Sequence, residues 1–165
     1  MNMDLKELVG KVQRLEDIEA IRTLKNTYHL CINDRLFSRI SGLFTDDALV
    51  DFGYMNNTVD PWKGAAQIHE GFRFVETNLS EIKQFIHSHT IDVHGDAASG
   101  WSFLEARYGL ADKSFNVAGK YEEDYRRVNG KWLFSRMTIQ FYFTTPHELG
   151  WVVNNRHQLA RRPVV

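Results

Sequence analysis

From residue 85 onward the chain reads as four long segments of period-two alternation. They are 85–94, 99–110, 116–128 and 131–144, divided by turns at Gly95-Asp96, near Asp112-Lys113 and at Asn129-Gly130. Alternation at every second residue is the signature of a strand, and Asn-Gly between two such runs signals a two-residue type I′ hairpin. Strands joined by turns this short pair as an antiparallel meander.

The residues ahead of this sheet have a different period. Leu15, Ile18, Ile21, Leu24, Tyr28 and Ile32 recur at steps of three and four among Glu16, Asp17, Glu19, Arg22 and Lys25. This predicts an amphipathic helix within the first 33 residues, with Tyr28 on the buried stripe. A second short helix is expected from Leu36 to Phe44, stopping at Thr45-Asp46-Asp47, and 48–54 reads as a strand. Asn56-Asn57 and Asp60-Pro61 mark a loop, and Ala65, Ile68, Phe72 and Val75 signal a third helix. Helices segregated ahead of a mostly antiparallel sheet give an α+β class. The expected architecture is a cone-shaped α+β barrel: three N-terminal helices packed on one face of a strongly curved sheet that encloses a pocket.

At 165 residues the chain suits one domain, with a core of 12–145 and a C-terminal extension of 146–165. A net charge of -1 leaves no excess to attract nucleic acid or an anionic membrane. No run approaches the ~18 apolar residues of a membrane span, and the opening Met-Asn-Met-Asp-Leu-Lys-Glu has no apolar signal core. The single Cys31 lies among Tyr28, Leu30 and Ile32 and reads as a small core residue. One cysteine makes no internal disulfide, which suits a reducing cytoplasm, the expected location.

The segment 85–94 carries the chemistry. Phe85, His87, His89, Ile91 and Val93 share one face, and Ser88, Thr90, Asp92 and His94 share the other, so both His87 and His89 are expected to face the pocket. An imidazole there is either a structural hydrogen-bonder or a group that moves protons near neutral pH. The segment 116–128 presents Val117, Gly119, Tyr121, Glu123 and Tyr125 inward, and the last segment presents Leu133, Met137, Ile139, Phe141 and Phe143. The faces of 99–110, with Trp101, Phe103, Glu105 and Arg107 against Ser102, Leu104, Ala106 and Tyr108, leave its orientation open. Candidate substrate-binding residues are His89, Tyr121, Phe52, Arg107, Tyr108 and Met137. Metal-binding strands that use His-x-His carry a glutamate four or five positions on, where this chain has Val93 and His94, so no metal is expected. Phosphate-loop, dinucleotide and G-x-S-x-G fingerprints are absent, no cofactor is expected, and proton transfer is the natural chemistry.

Several runs resemble the SnoaL-like branch of the nuclear transport factor 2-like superfamily. They are Leu15-Glu-Asp-Ile-Glu-Ala-Ile-Arg-Thr-Leu-Lys25 with Tyr28, Leu43-Phe-Thr-Asp-Asp-Ala-Leu-Val-Asp-Phe52, Gly64, His87-Ser-His-Thr90, Gly100 to Arg107, and Tyr125 to Trp132. The resemblance spans roughly 12–145 and lies nearest the dehydratases of bile acids and of scytalone. It implies a cone around a cavity, assembly as homodimers or homotrimers, and cofactor-independent lyase chemistry in which a pocket histidine takes a proton. Carried over residue by residue, it puts His87 at the catalytic histidine, with His89 a competing match if a gap is moved, and Tyr28 at the catalytic tyrosine. Asn33 stands where the orienting aspartate would be, with Asp34 adjacent, and Ala106 stands where a further aspartate would be. The expected function is elimination or retro-aldol cleavage of an apolar, hydroxylated cyclic or aromatic compound. Isomerases and cyclases share the scaffold, and a non-catalytic ligand binder or the small subunit of an aromatic-ring dioxygenase are the other readings.

Overall fold

The computed structural model describes residues 4–53 and 60–150. The first helix, α1 (Leu5–Asn33), opens at Asp4, whose carboxylate accepts the Lys6 N–H at 3.3 Å. It closes at Asp34, after which Arg35 turns the chain in the left-handed region (φ 57°). The short helix expected over Leu36 to Phe44 is instead two 3₁₀ turns, Phe37–Arg39 and Ser41–Leu43. Ser38, Ser41 and Gly42 are poor helix formers, while burial of Phe37 and Ile40 holds the segment against the core. Among the described residues the α-helices are therefore two long ones, α1 and α2 (Gly64–Asn78), in place of the three expected.

Six strands form one sheet: β1 (Phe44–Asp51), β2 (Trp62–Lys63), β3 (Ile82–His94), β4 (Ala97–Leu110), β5 (Lys113–Val128) and β6 (Lys131–Pro146), in the order β2-β1-β6-β5-β4-β3. The expected meander is β3 to β6, all antiparallel, while β1 joins the far side parallel to β6. The expected end of β1 at Tyr54, the Asn56-Asn57 loop signal and residues 151–165 of the extension lie outside the described residues. Asn129 (φ 50°) and Gly130 (φ 77°) are both left-handed, as a type I′ turn requires. Ala111 and Asp112 (φ 48° and 61°) do the same one turn earlier.

Both helices pack on the sheet around an aromatic centre. Tyr28 of α1 meets Phe44, Phe72, Tyr121 and Phe134 edge-on at ring-centroid distances of 5.9–6.4 Å. Where α2 crosses β2 the approach is so close that a Cβ on Gly71 would lie 2.4 Å from the Trp62 ring. Among the described residues no helix is long and apolar enough to cross a membrane.

Three bulges in the meander decide which residues reach the interior. In β3 the pairing moves from His87 opposite Phe103 to Thr90 opposite Trp101, with Ser88 in the left-handed region (φ 56°). One extra residue reverses the side on which every later side chain falls. Ile82, Gln84 and Ile86 therefore face inward before the bulge, and His89, Ile91 and Val93 after it. Phe85 and His87 point outward, contrary to the shared face expected from alternation. In β6 the pairing skips Ser135, so Trp132 and Phe134 fill the core where Leu133 was expected, and it skips Tyr142, so Thr144 is buried where Phe143 was expected.

Candidate active site

Between α1, α2 and the sheet lies a narrow cavity of about 40 Å³, walled by Tyr28, Ile32, Phe52, Phe72, Val75, Ile82, Gln84, Leu104, Ala106, Tyr108, Val117, Ile139 and Phe141. Its polar groups are the phenols of Tyr28 and Tyr108 and the amide of Gln84. The Gln84 Oε1 accepts from the Tyr121 hydroxyl at 2.9 Å, and Tyr121 also engages the Tyr28 hydroxyl. Burial first, tempered by Tyr121, raises the Tyr28 phenol well above its ordinary range, so Tyr28 stays a neutral donor.

Beside this cavity the inward faces of α1 and the sheet hold a buried polar cluster. Lys25 and Glu123, both fully buried, form an ion pair. The Lys25 Nζ sits 3.4 Å from the Tyr121 ring centroid, a cation–π contact that helps hold a charge removed from water. Glu123 also accepts from the Tyr125 hydroxyl at 2.7 Å, and that oxygen lies 3.1 Å from Nε2 of His89. Burial lowers the Lys25 ammonium and the His89 imidazole alike, with the Glu123 carboxylate opposing it in both.

His29 completes the cluster. Its ring lies 5.1 Å from that of Tyr28 and 5.7 Å from that of Tyr121, edge-on to both. Neither buried ring nitrogen makes a hydrogen bond of good geometry among the described residues, although the Gln84 side chain lies close enough to interact with the ring and opposes the effect of burial. Burial, reinforced by the charge of Lys25, holds this imidazole well below its ordinary range, so it is a neutral base. A buried imidazole without a well-formed hydrogen bond is uncommon, which makes His29 a candidate functional group.

The structure redistributes the residues singled out from sequence. Tyr28, Phe52 and Tyr108 line the cavity, Tyr121 is buried beside it, and Met137 is buried in the sheet. His89 faces inward, but onto Tyr125 and Glu123 and not onto the cavity wall. His87 is on the outer face, its side chain 58 % exposed and 3.7 Å from Glu105, because the Ser88 bulge turns it away. Arg107 is also outside, since β4 sends Ser102, Leu104, Ala106 and Tyr108 inward. Asp34 is exposed, because the helical turn that buries Tyr28 and Ile32 carries it outward. Among the described residues the Asn33 side chain hydrogen-bonds no histidine; it clamps the backbone of Gln84. Among the described residues no three His, Cys, Asp or Glu side chains converge as a metal site.

His29, Lys25, Gln84, Glu123 and Tyr125 are the functional candidates that the sequence reading passed over. Lys25 and His29 sit one helical turn apart on the stripe that buries Tyr28 and Ile32. That spacing marks both as polar residues entering the core.

The fold and cavity define a small cone of the SnoaL-like kind. The chain belongs to the SnoaL-like domain family, whose model matches residues 13–138. No curated protein matches the sequence. Among solved structures, a provisionally assigned aromatic-ring hydroxylase from Novosphingobium aromaticivorans is 25 % identical, with a TM-score of 0.72 over 80 % of this chain and 94 % of that one. A provisionally assigned scytalone dehydratase from the same organism is 17 % identical, with a TM-score of 0.74 over 92 % and 99 %. A type 3 hexachlorocyclohexane dehydrochlorinase from Novosphingobium barchaimii is 20 % identical, with a TM-score of 0.74 over 82 % and 93 %. At those identities the latter two establish the shared fold.

Proposed function

We propose that this protein is a cofactor-independent lyase that eliminates water, or a comparable leaving group, from an apolar hydroxylated ring compound. The observation that carries this reading is His29, a neutral buried imidazole with no hydrogen bond of good geometry among the described residues and only Gln84 near its nitrogens, beside the phenols of Tyr28 and Tyr121. A substrate oxygen held by Tyr28 brings the neighbouring C–H toward His29 once the Gln84 amide turns aside. His29 takes that proton and the C–O bond breaks as the C=C bond forms. The imidazolium then passes the proton to the departing hydroxide, so that water leaves and the neutral base is restored. Tyr28 donates a hydrogen bond to the oxygen throughout, since burial disfavours its phenolate. Asn33 and Asp34, expected beside a catalytic histidine, take no part. The named activities of the structural neighbours all concern cyclic compounds, which supports the substrate class.

A cavity of about 40 Å³ is far below the several hundred Å³ typical of ligand sites. Ligand entry therefore moves the partly buried Ile139 and Phe141 aside. The small cavity and the amide of Gln84 in its wall favour a second reading, a ligand carrier without chemistry. A panel of hydroxylated cyclic compounds, screened by thermal shift and then for dehydrated product without added cofactor, separates the two. Binding with product supports the lyase; binding without product from any bound compound supports the carrier.

A further inference from the structure

The first half of α1 carries an apolar stripe that nothing in the described chain covers. Leu5, Leu8, Val9, Val12 and Leu15 are 46–72 % exposed, on a helix stretch where every residue from 4 to 16 is exposed. Leu5, Leu8, Val12 and Leu15 follow the alternating three-and-four spacing of a coiled-coil seam, over about 15 Å of helix. Arg14 fixes the roll of this segment: it donates to the Val93 carbonyl at 2.7 Å and to the Asp92 carboxylate at 2.8 Å. That anchor turns the Arg14 and Asp17 side toward the domain and the leucine seam away from it. A bare stripe of this kind on a helix end is unfavourable in water and marks a docking face.

We propose that the stripe pairs in parallel with the same stripe of a second copy of this chain. With Leu5 and Val12 at the first core position and Leu8 and Leu15 at the second, Lys11 and Glu16 occupy the flanking positions that meet across a parallel pair. Two Lys11–Glu16 contacts thus flank the seam, exchanged for the exposed Lys11–Glu7 pair that each helix makes within itself at 2.6 Å. An antiparallel pair over the same stripe would set Lys11 against its own copy. Beyond Leu15 the seam positions are Glu19 and Arg22, both exposed, so the apolar contact ends where the two domains begin to need room.

Sedimentation equilibrium of the full chain, with Leu8→Cys oxidised in parallel, tests this. The proposal expects a dimer, covalent linkage of the Leu8→Cys variant, and at least a tenfold weaker association for Val12→Lys with an unchanged circular dichroism spectrum. Lys11→Glu and Glu16→Lys each weaken the dimer, and the double exchange restores it. A monomer, a dimer indifferent to Val12→Lys, or a dimer whose Leu8→Cys variant does not cross-link overturns the proposal. Release of a monomer's stripe only on removal of residues 151–165 overturns it too, in favour of cover by the chain's own end.

Discussion

Asn33 and Gln84 exchange two hydrogen bonds across the seam between α1 and β3. Asn33 Nδ2 donates to the Gln84 carbonyl at 2.9 Å, and its Oδ1 accepts the Gln84 N–H at 2.7 Å. β3 is the sheet edge, so Asn33 supplies what a neighbouring strand would otherwise provide. The same clamp presents the Gln84 side chain to the cavity.

Asn33→Ala removes both bonds and leaves a buried N–H without a partner. The expected cost is about 1–3 kcal/mol, read by denaturant unfolding. Asn33→Asp keeps the acceptor but sets a carboxylate against the Gln84 carbonyl, so it also destabilises. It does not arm His87, which lies on the other face.

Glu123→Gln leaves the Lys25 ammonium buried with no countercharge and weakens the acceptor of Tyr125. Breaking one side of such a pair costs about 3–5 kcal/mol, whereas replacing both by apolar residues of similar size costs far less. Lys25→Met combined with Glu123→Leu is therefore expected to unfold at higher denaturant than Glu123→Gln alone. A double variant weaker than the single would show that the charges themselves hold the fold.

His29 and His89 both titrate below the ordinary value of 6.5 when folded. As pH falls through 6.5 the unfolded chain binds protons that the folded chain refuses, so stability drops from there downward and is complete only above 6.5. Melting temperature is expected to fall between pH 6.5 and 5, and His29→Phe to flatten that slope. Asp17 adds loss at lower pH. Burial alone would raise its carboxyl, but hydrogen bonds from Arg127, Trp132 and Gln13 outweigh this, so its contribution fades below 3.8.

The bulge at Ser88 sets which histidine faces in. A β-branched residue resists the left-handed backbone there, so Ser88→Val is expected to cost about 1–2 kcal/mol by denaturant unfolding. An unchanged midpoint would mean that the bulge is not strained.

The meander, the hairpin at Asn129-Gly130 and the helix carrying Tyr28 were legible because periodicity and turn chemistry are local. The site was not, for a physical reason: a single extra residue leaves the alternation of 85–94 intact on paper while reversing its lower half. Gln84, one position before the run that drew attention, takes the inward place. Lys25 and His29 lay on a helix stripe read from its apolar members alone. Glu123 and Tyr125 fell on the correct face of β5, but their link to His89 depends on three elements meeting in space.

The most direct test is to compare His29→Gln with His87→Gln on any compound that the wild-type protein converts, alongside their melting curves. The account predicts that His29→Gln, still folded, loses about 10²–10⁴-fold in turnover while His87→Gln keeps wild-type rate. Full activity in His29→Gln, or its loss in His87→Gln, would contradict it.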